Sequence, residues 1–124
     1  LASAPEDAGY QLGRAQALLR LDRAEEAEQK LEALAQRAPE SAVVWLEWGT
    51  ALAKQGELKP ALEKIDEAVK RAPHLVSAQV RRIGLLADLK RCKDAKAAMK
   101  ALEAVTKAPE ALKVAQGAVD RCRR

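Results

Sequence analysis

Few residues in this 124-residue sequence could carry chemistry: one histidine, His74, two thiols, Cys92 and Cys122, and two tryptophans, Trp45 and Trp48. His74 follows Pro73 and has no base or nucleophile at a spacing that would complete a catalytic set. No glycine-rich phosphate loop, no paired His/Cys metal spacing and no serine beside a base accompanies it. The sequence is therefore read as non-enzymatic, with no catalytic residue, no metal ligand set and no cofactor. Two thiols can close a disulfide or remain buried and free. Two indoles three residues apart can form a ligand cage or fill a core. Which holds depends on the elements that carry them.

Trp45 and Trp48 lie in the stretch Ala42 to Leu75, which has two apolar periodicities separated by a turn signal. Ala42, Trp45, Trp48, Gly49 and Leu52 recur at three- and four-residue steps, placing them on one face of a helix. Gln55-Gly56-Glu57 then interrupts, since glycine takes the left-handed conformation that ends a helix. Leu58, Ala61, Ile65, Ala68 and Val69 resume the helical spacing, and Ala72-Pro73 closes it, because proline cannot continue the hydrogen-bond ladder. The result is an antiparallel helix pair in which Gly49, Ala61 and Ala68 are small enough for close packing. The Ala-Pro dipeptide recurs at Pro5, Pro39, Pro73 and Pro109, at spacings of 34, 34 and 36. So regular a period marks stacked units that bury one another's faces.

The pattern Trp45-x2-Trp48-Gly49-x2-Leu52, followed by Ala61, Ile65 and Pro73, resembles the tetratricopeptide repeat; Leu52 and Ile65 stand where the family often has aromatics, but stay apolar. The resemblance implies an all-α fold, a right-handed α-solenoid of antiparallel helix pairs with about seven helices. Repeats are expected at 8–41, 42–75 and 76–109, with a capping helix over 110–124. Residues 1–7 read as a linker or the end of a preceding repeat, so the natural protein is expected to extend upstream. The packing positions of the family make Trp45 and Trp48 core rather than cage. In the first repeat Ala15, Leu18, Ala27, Leu31 and Leu34 hold the spacing, Asp7 is the expected N-cap, and Gln11 and Arg14 replace the tryptophans. In the third, Ile83, Leu86, Ala95, Met99 and Leu102 hold it, with Ile83 where a small residue is expected. Pro109 arrives two residues late, which predicts a second helix longer by about half a turn. Leu112, Ala115, Val119 and Cys122 mark the covering face of the terminal helix, and Arg121, Arg123 and Arg124 suit its C-terminal end.

Aromatics make up only 2% of the chain and phenylalanine is absent, a composition suited to helices packed through its 27 alanines. No apolar run reaches the roughly 18 residues of a membrane helix. Net charge is −3 over residues 1–75 and +7 over 76–124. A basic end could face nucleic acid, acidic lipid or an acidic protein, but no stacking platform or groove-reading motif accompanies the charge, so nucleic acid is not expected as a partner. Counted from the turn at Pro109, Cys92 and Cys122 lie 17 and 13 residues away on helices that should run antiparallel. Their levels differ by roughly 6 Å of rise, so a disulfide and two free thiols both remain open. A bonded pair points to an oxidising compartment such as the periplasm, and free thiols to the cytoplasm.

The resemblance places function in a concave groove lined by the first helix of each pair. The family's groove sites correspond here to Leu12, Gln16, Leu19 and Arg20, then Leu46, Thr50, Ala53 and Lys54, then Val80, Gly84, Ala87 and Asp88. Leu12, Leu46 and Val80 are expected to stack as an apolar stripe, with Thr50 and Gly84 leaving room beside it. Such a floor suits an apolar or amphipathic segment of a protein partner. Family members that clamp a terminal carboxylate do so with a Lys, two Asn and a Lys/Arg pair. The matching sites here are Leu12, Gln16, Glu47, Ser77 and Arg81, where only Arg81 has the required charge and Glu47 opposes it. The expected protein is thus an interaction module, an adaptor or scaffold piece of a larger bacterial assembly protein. The alternatives are self-association into a longer superhelix and an electrostatic binder of an acidic partner through Arg81, Arg82, Lys90, Arg91, Lys93, Lys96 and Lys100.

Overall fold

The structure, a computed structural model, describes residues 8–122, so the N-cap expected at Asp7, the linker over 1–7 and the terminal Arg123 and Arg124 lie outside the described residues. Seven helices follow one another: α1 Ala8–Arg20, α2 Ala24–Arg37, α3 Ala42–Lys54, α4 Leu58–Arg71, α5 Val76–Asp88, α6 Cys92–Val105 and α7 Pro109–Cys122. They are grouped in two compact units, one over residues 1–71 and one over 72–124. The expected class, all-α helix pairs of the solenoid type, is the observed one.

The turn inside each pair has one design. In all three the residue after the helix cap is left-handed: Asp22 at φ 62°, Gly56 at 82° and Lys90 at 63°. The next N–H then reaches back over the last turn, Arg23 to Leu18 O at 2.8 Å, Glu57 to Leu52 O at 3.0 Å and Arg91 to Leu86 O at 2.8 Å. This reciprocal closure satisfies carbonyls that a helix end otherwise leaves orphaned. Only the middle turn has the glycine that the conformation favours. The second helix then starts at once; Pro60 falls in the first turn of α4, where its missing N–H costs nothing.

In the first unit Ala15, Ala27, Leu31, Ala51, Ala61 and Ile65 are fully buried. The close approach of α3 and α4 depends on Gly49: a Cβ there would sit 2.6 Å from Ile65 Cδ1 and 3.0 Å from the Ala61 carbonyl oxygen. Trp45 and Trp48 are only half-buried and pack against this core from its edge. Their indoles stack on each other, centroids 5.5 Å apart. The Trp45 Nε1–H donates to Pro39 O at 2.8 Å. That contact shows what the repeat uses the position for, because Gln79, one period later, donates its amide to Pro73 O. Either side chain ties the inter-repeat turn to the following helix.

In the second unit Ile83, Leu86, Ala95, Leu102 and Ala115 are fully buried. Ile83 occupies the register of Gly49, so a buried branched side chain stands on α5 where, on α3, the missing side chain lets Ile65 of α4 come into close contact. The longer second helix expected from the late proline does not form. α6 has 14 residues, as α2 and α4 have. The extra length goes instead into the segment 106–108, where the Ala108 N–H bonds back to Thr106 Oγ1 at 3.0 Å. Pro109 thereby becomes the first residue of α7, one before the expected start and a position that suits its fixed φ. α7 buries Ala115, Ala118, Val119 and Cys122. Cys92 and Cys122 are paired, with S–S 2.01 Å and Cα–Cα 5.7 Å, joining the first residue of α6 to the last of α7.

Candidate functional site

Each first helix carries a row of sites, recurring at the repeat period, that the resemblance assigns to a groove. On α1 and α3 the row is more closed than its composition suggests. Leu19 is 5% exposed, Leu46 8% and Thr50 6%. The Thr50 hydroxyl donates to the Leu46 carbonyl at 2.9 Å and offers no free donor. Leu12, Gln16, Glu47 and Ala53 are half-buried, whereas Arg20 and Lys54 are exposed at the helix ends. Two of these sites meet: Gln16 Nε2 donates to Glu47 Oε2 at 2.8 Å, linking α1 to α3. The accessible part of this surface is therefore a polar bridge flanked by partial apolar area, and the apolar stripe expected there is largely withdrawn at Leu46.

On α5, in the second unit, Val80 and Gly84 are half-buried, Ala87 is buried, and Arg81 and Asp88 are exposed. A Cβ on Gly84 would meet nothing within 4 Å, and the same holds for Gly13 on α1. Both glycines therefore border open space rather than a close helix contact, the opposite of Gly49. This difference is invisible in residue type alone.

A second arrangement escaped the sequence reading. Lys64 Nζ lies 4.2 Å from the Trp48 ring centroid and the Arg71 guanidinium 4.7 Å from that of Trp45. The Trp48 indole N–H and the Gln55 amide both bond to Glu28, at 3.2 and 2.9 Å. Arg71 also donates to Pro39 O and to Glu67. That hydrogen bond from Arg71, with the charge of Lys70 beside it, holds the Glu67 carboxyl below its usual value of 4.5, against a smaller opposing effect of burial. Cations on indole faces at this range attract the ring quadrupole. The tryptophans thus join α2, α3 and α4 through polar as well as apolar contacts. Trp45 and Arg71 stand 26 residues apart on the two helices of one repeat, which was the available signal, but side-chain direction decides it.

Among the described residues no group of three or more His, Cys, Asp or Glu is placed to hold a metal ion. No helix there is long and apolar enough to cross a membrane.

No family model matches the sequence and no curated protein matches it significantly. Solved structures do match. The TPR2B domain of yeast Sti1, in complex with pHsp70, superposes with a TM-score of 0.86 at 18% identity, over 94% of this chain and 95% of that one. The chain has the fold of a tetratricopeptide-repeat domain. The second TPR domain of human RPAP3, solved with an HSP70 peptide, gives a TM-score of 0.82 at 14% identity, covering 92% of each chain. The Yersinia enterocolitica secretion chaperone SycD, in complex with a peptide of the translocator YopD, gives 0.79 at 12%, over 91% of this chain and 87% of that one. Against the two-domain TPR2AB chain of Sti1 the match covers 97% of this chain but only 48% of the other. This chain thus matches some solved chains over nearly their whole length and spans about half of another.

Proposed function

We propose that this tetratricopeptide-repeat chain is a non-enzymatic interaction module that takes an amphipathic segment of a protein partner along the first helices of its repeats. The observation that carries the reading is the open space at Gly84 beside half-buried Val80, in the register the fold uses for ligands. Peptides named in the matched structures of Sti1, RPAP3 and SycD support it by analogy of fold. The test is capture of partners by the wild type beside Gly84→Tyr and Val80→Glu, each checked for helicity. Both substitutions fill or charge the space without touching the core. Recovery of an unchanged set of proteins by both variants refutes the groove.

The disulfide between Cys92 and Cys122 supports an oxidising compartment, such as the bacterial periplasm, for an adaptor of this kind. Alkylation of the protein, purified without reductant and denatured, should find no reactive thiol; two would place it in a reducing one.

Self-association is the second reading, favoured by the outer side of α1 and α2. Tyr10 is 44% exposed there, and a shallow cavity of about 290 Å³ lies among Gln11, Ala33, Leu34 and Arg37. Sedimentation at rising concentration decides it: a constant monomer mass excludes stacking. The electrostatic reading requires binding that collapses with added salt, as binding through the apolar part of the groove does not.

A further inference from the structure

The Gln16–Glu47 bridge points to the charge of the partner. We propose that the α1–α3 surface selects a segment presenting a lysine or arginine among apolar residues, with an acidic residue about three positions away in an extended chain; this rests on the groove reading above. Glu47 is half-buried and anchored by the Gln16 amide at 2.8 Å, a neutral donor that orients the carboxylate without cancelling its charge. Leu46 and Leu19 are withdrawn, so the half-buried Glu47 is the charged group that this row of sites offers an incoming side chain, with half-buried Leu12 and Ala53 supplying apolar area in the same row. A carboxylate brought there would face a like charge in a partly desolvated place, whereas a guanidinium or ammonium gains a charge-assisted hydrogen bond. Discrimination thus works by repulsion as much as attraction. Arg20 and Lys54 are exposed at the ends of the same helices. Lys54 lies seven residues beyond Glu47, roughly 10 Å along the axis, which about three residues of extended chain span.

The probe is a phage-displayed library of random twelve-residue peptides, selected on wild type, Glu47→Gln, Lys54→Glu and Gly13→Tyr, the last placing a ring in open space in the register of Glu47. The wild type should enrich Lys or Arg flanked by apolar residues. Glu47→Gln should lose that preference, and Lys54→Glu should lose the acidic position alone. A selected peptide should bind Glu47→Gln about tenfold more weakly, the effect of one charge-assisted hydrogen bond. Enrichment of acidic or uncharged peptides by the wild type, or the same basic peptides on Glu47→Gln, overturns the charge assignment while the groove stands. Loss of the basic preference with the acidic one on Lys54→Glu also overturns it. No enrichment at all, or identical peptides from Gly13→Tyr, overturns the groove and the charge assignment with it.

Discussion

The two units solve one packing problem by different means. In the first, α3 and α4 approach through Gly49, and a stacked tryptophan pair with Lys64, Arg71 and Glu28 around it joins three helices. In the second, Ile83 stands in the Gly49 register, Gln79 and Arg82 stand where the tryptophans were, and a disulfide links α6 to α7. The lesson is that a repeat which loses its aromatic contacts can be held by a covalent link from its second helix to the helix that follows. The ion pairs at the start of the second helices do not distinguish the units: Arg23–Glu26 and Arg91–Asp94 occupy equivalent places, are exposed, and contribute little.

The largest blow to that comparison is reduction of the disulfide. With the cysteines 30 positions apart in sequence, its loss should cost the second unit about 3–4 kcal/mol by the chain-entropy estimate. Hydrogen exchange should then quicken across α5–α7 on reduction or in Cys92→Ser/Cys122→Ser, leaving α1–α4 slow. Equal quickening everywhere would show that the units do not hold themselves separately.

Gly49→Ala strikes the other unit, at a cost of about 1–3 kcal/mol from overpacking against Ile65. Ile65→Val in the same chain removes the Cδ1 nearest the new methyl and should restore part of it, read as the urea midpoint. The open glycines respond in the opposite sense: Gly84→Ala should stabilise by about 0.5–1 kcal/mol. A smaller effect comes from the turns. Lys90→Gly should raise stability by up to about 1 kcal/mol, and Asp22→Gly by less, because aspartate tolerates the left-handed region better.

The smallest effect is acidic. Glu67 titrates below its ordinary value when folded, so its pairing with Arg71 and Lys70 contributes fully above that value and is lost as pH falls through the lowered one. Glu67→Gln should flatten stability in that acid range only, and a carboxyl NMR titration of Glu67 at the ordinary value would remove the effect.

Much of the fold was legible because the helical period and the Ala-Pro punctuation are local signals. The seven helices follow from them, and so do the small residues at Gly49 and Ala61. The late proline misled, since a two-residue insertion can lengthen a helix or a loop; the Thr106 turn and the preference of proline for a first helical position favour the loop. The tryptophans sit at the core's edge rather than within it, where their N–H groups reach Pro39 O and the Glu28 carboxylate. Of the groove, positions were readable but not depth: Leu12 and Leu46 share a register, yet one is half-buried and the other buried. The Gln16–Glu47 bridge joins residues 31 apart and depends on rotamers that no spacing reports.

The link between Cys92 and Cys122 also has a mechanical side. Pulled from its two ends, the chain cannot pay out the residues that the bond encloses, so α6 and α7 form a closed ring that carries no load between its ends. A fully extended oxidised chain should be shorter than the reduced one by about 100 Å, the reach of 30 residues. In a single-molecule stretching trace that missing length would report the bond directly. It would also show that tension on the chain runs through α5 to Cys92, crosses the sulfur bridge and bypasses the enclosed segment.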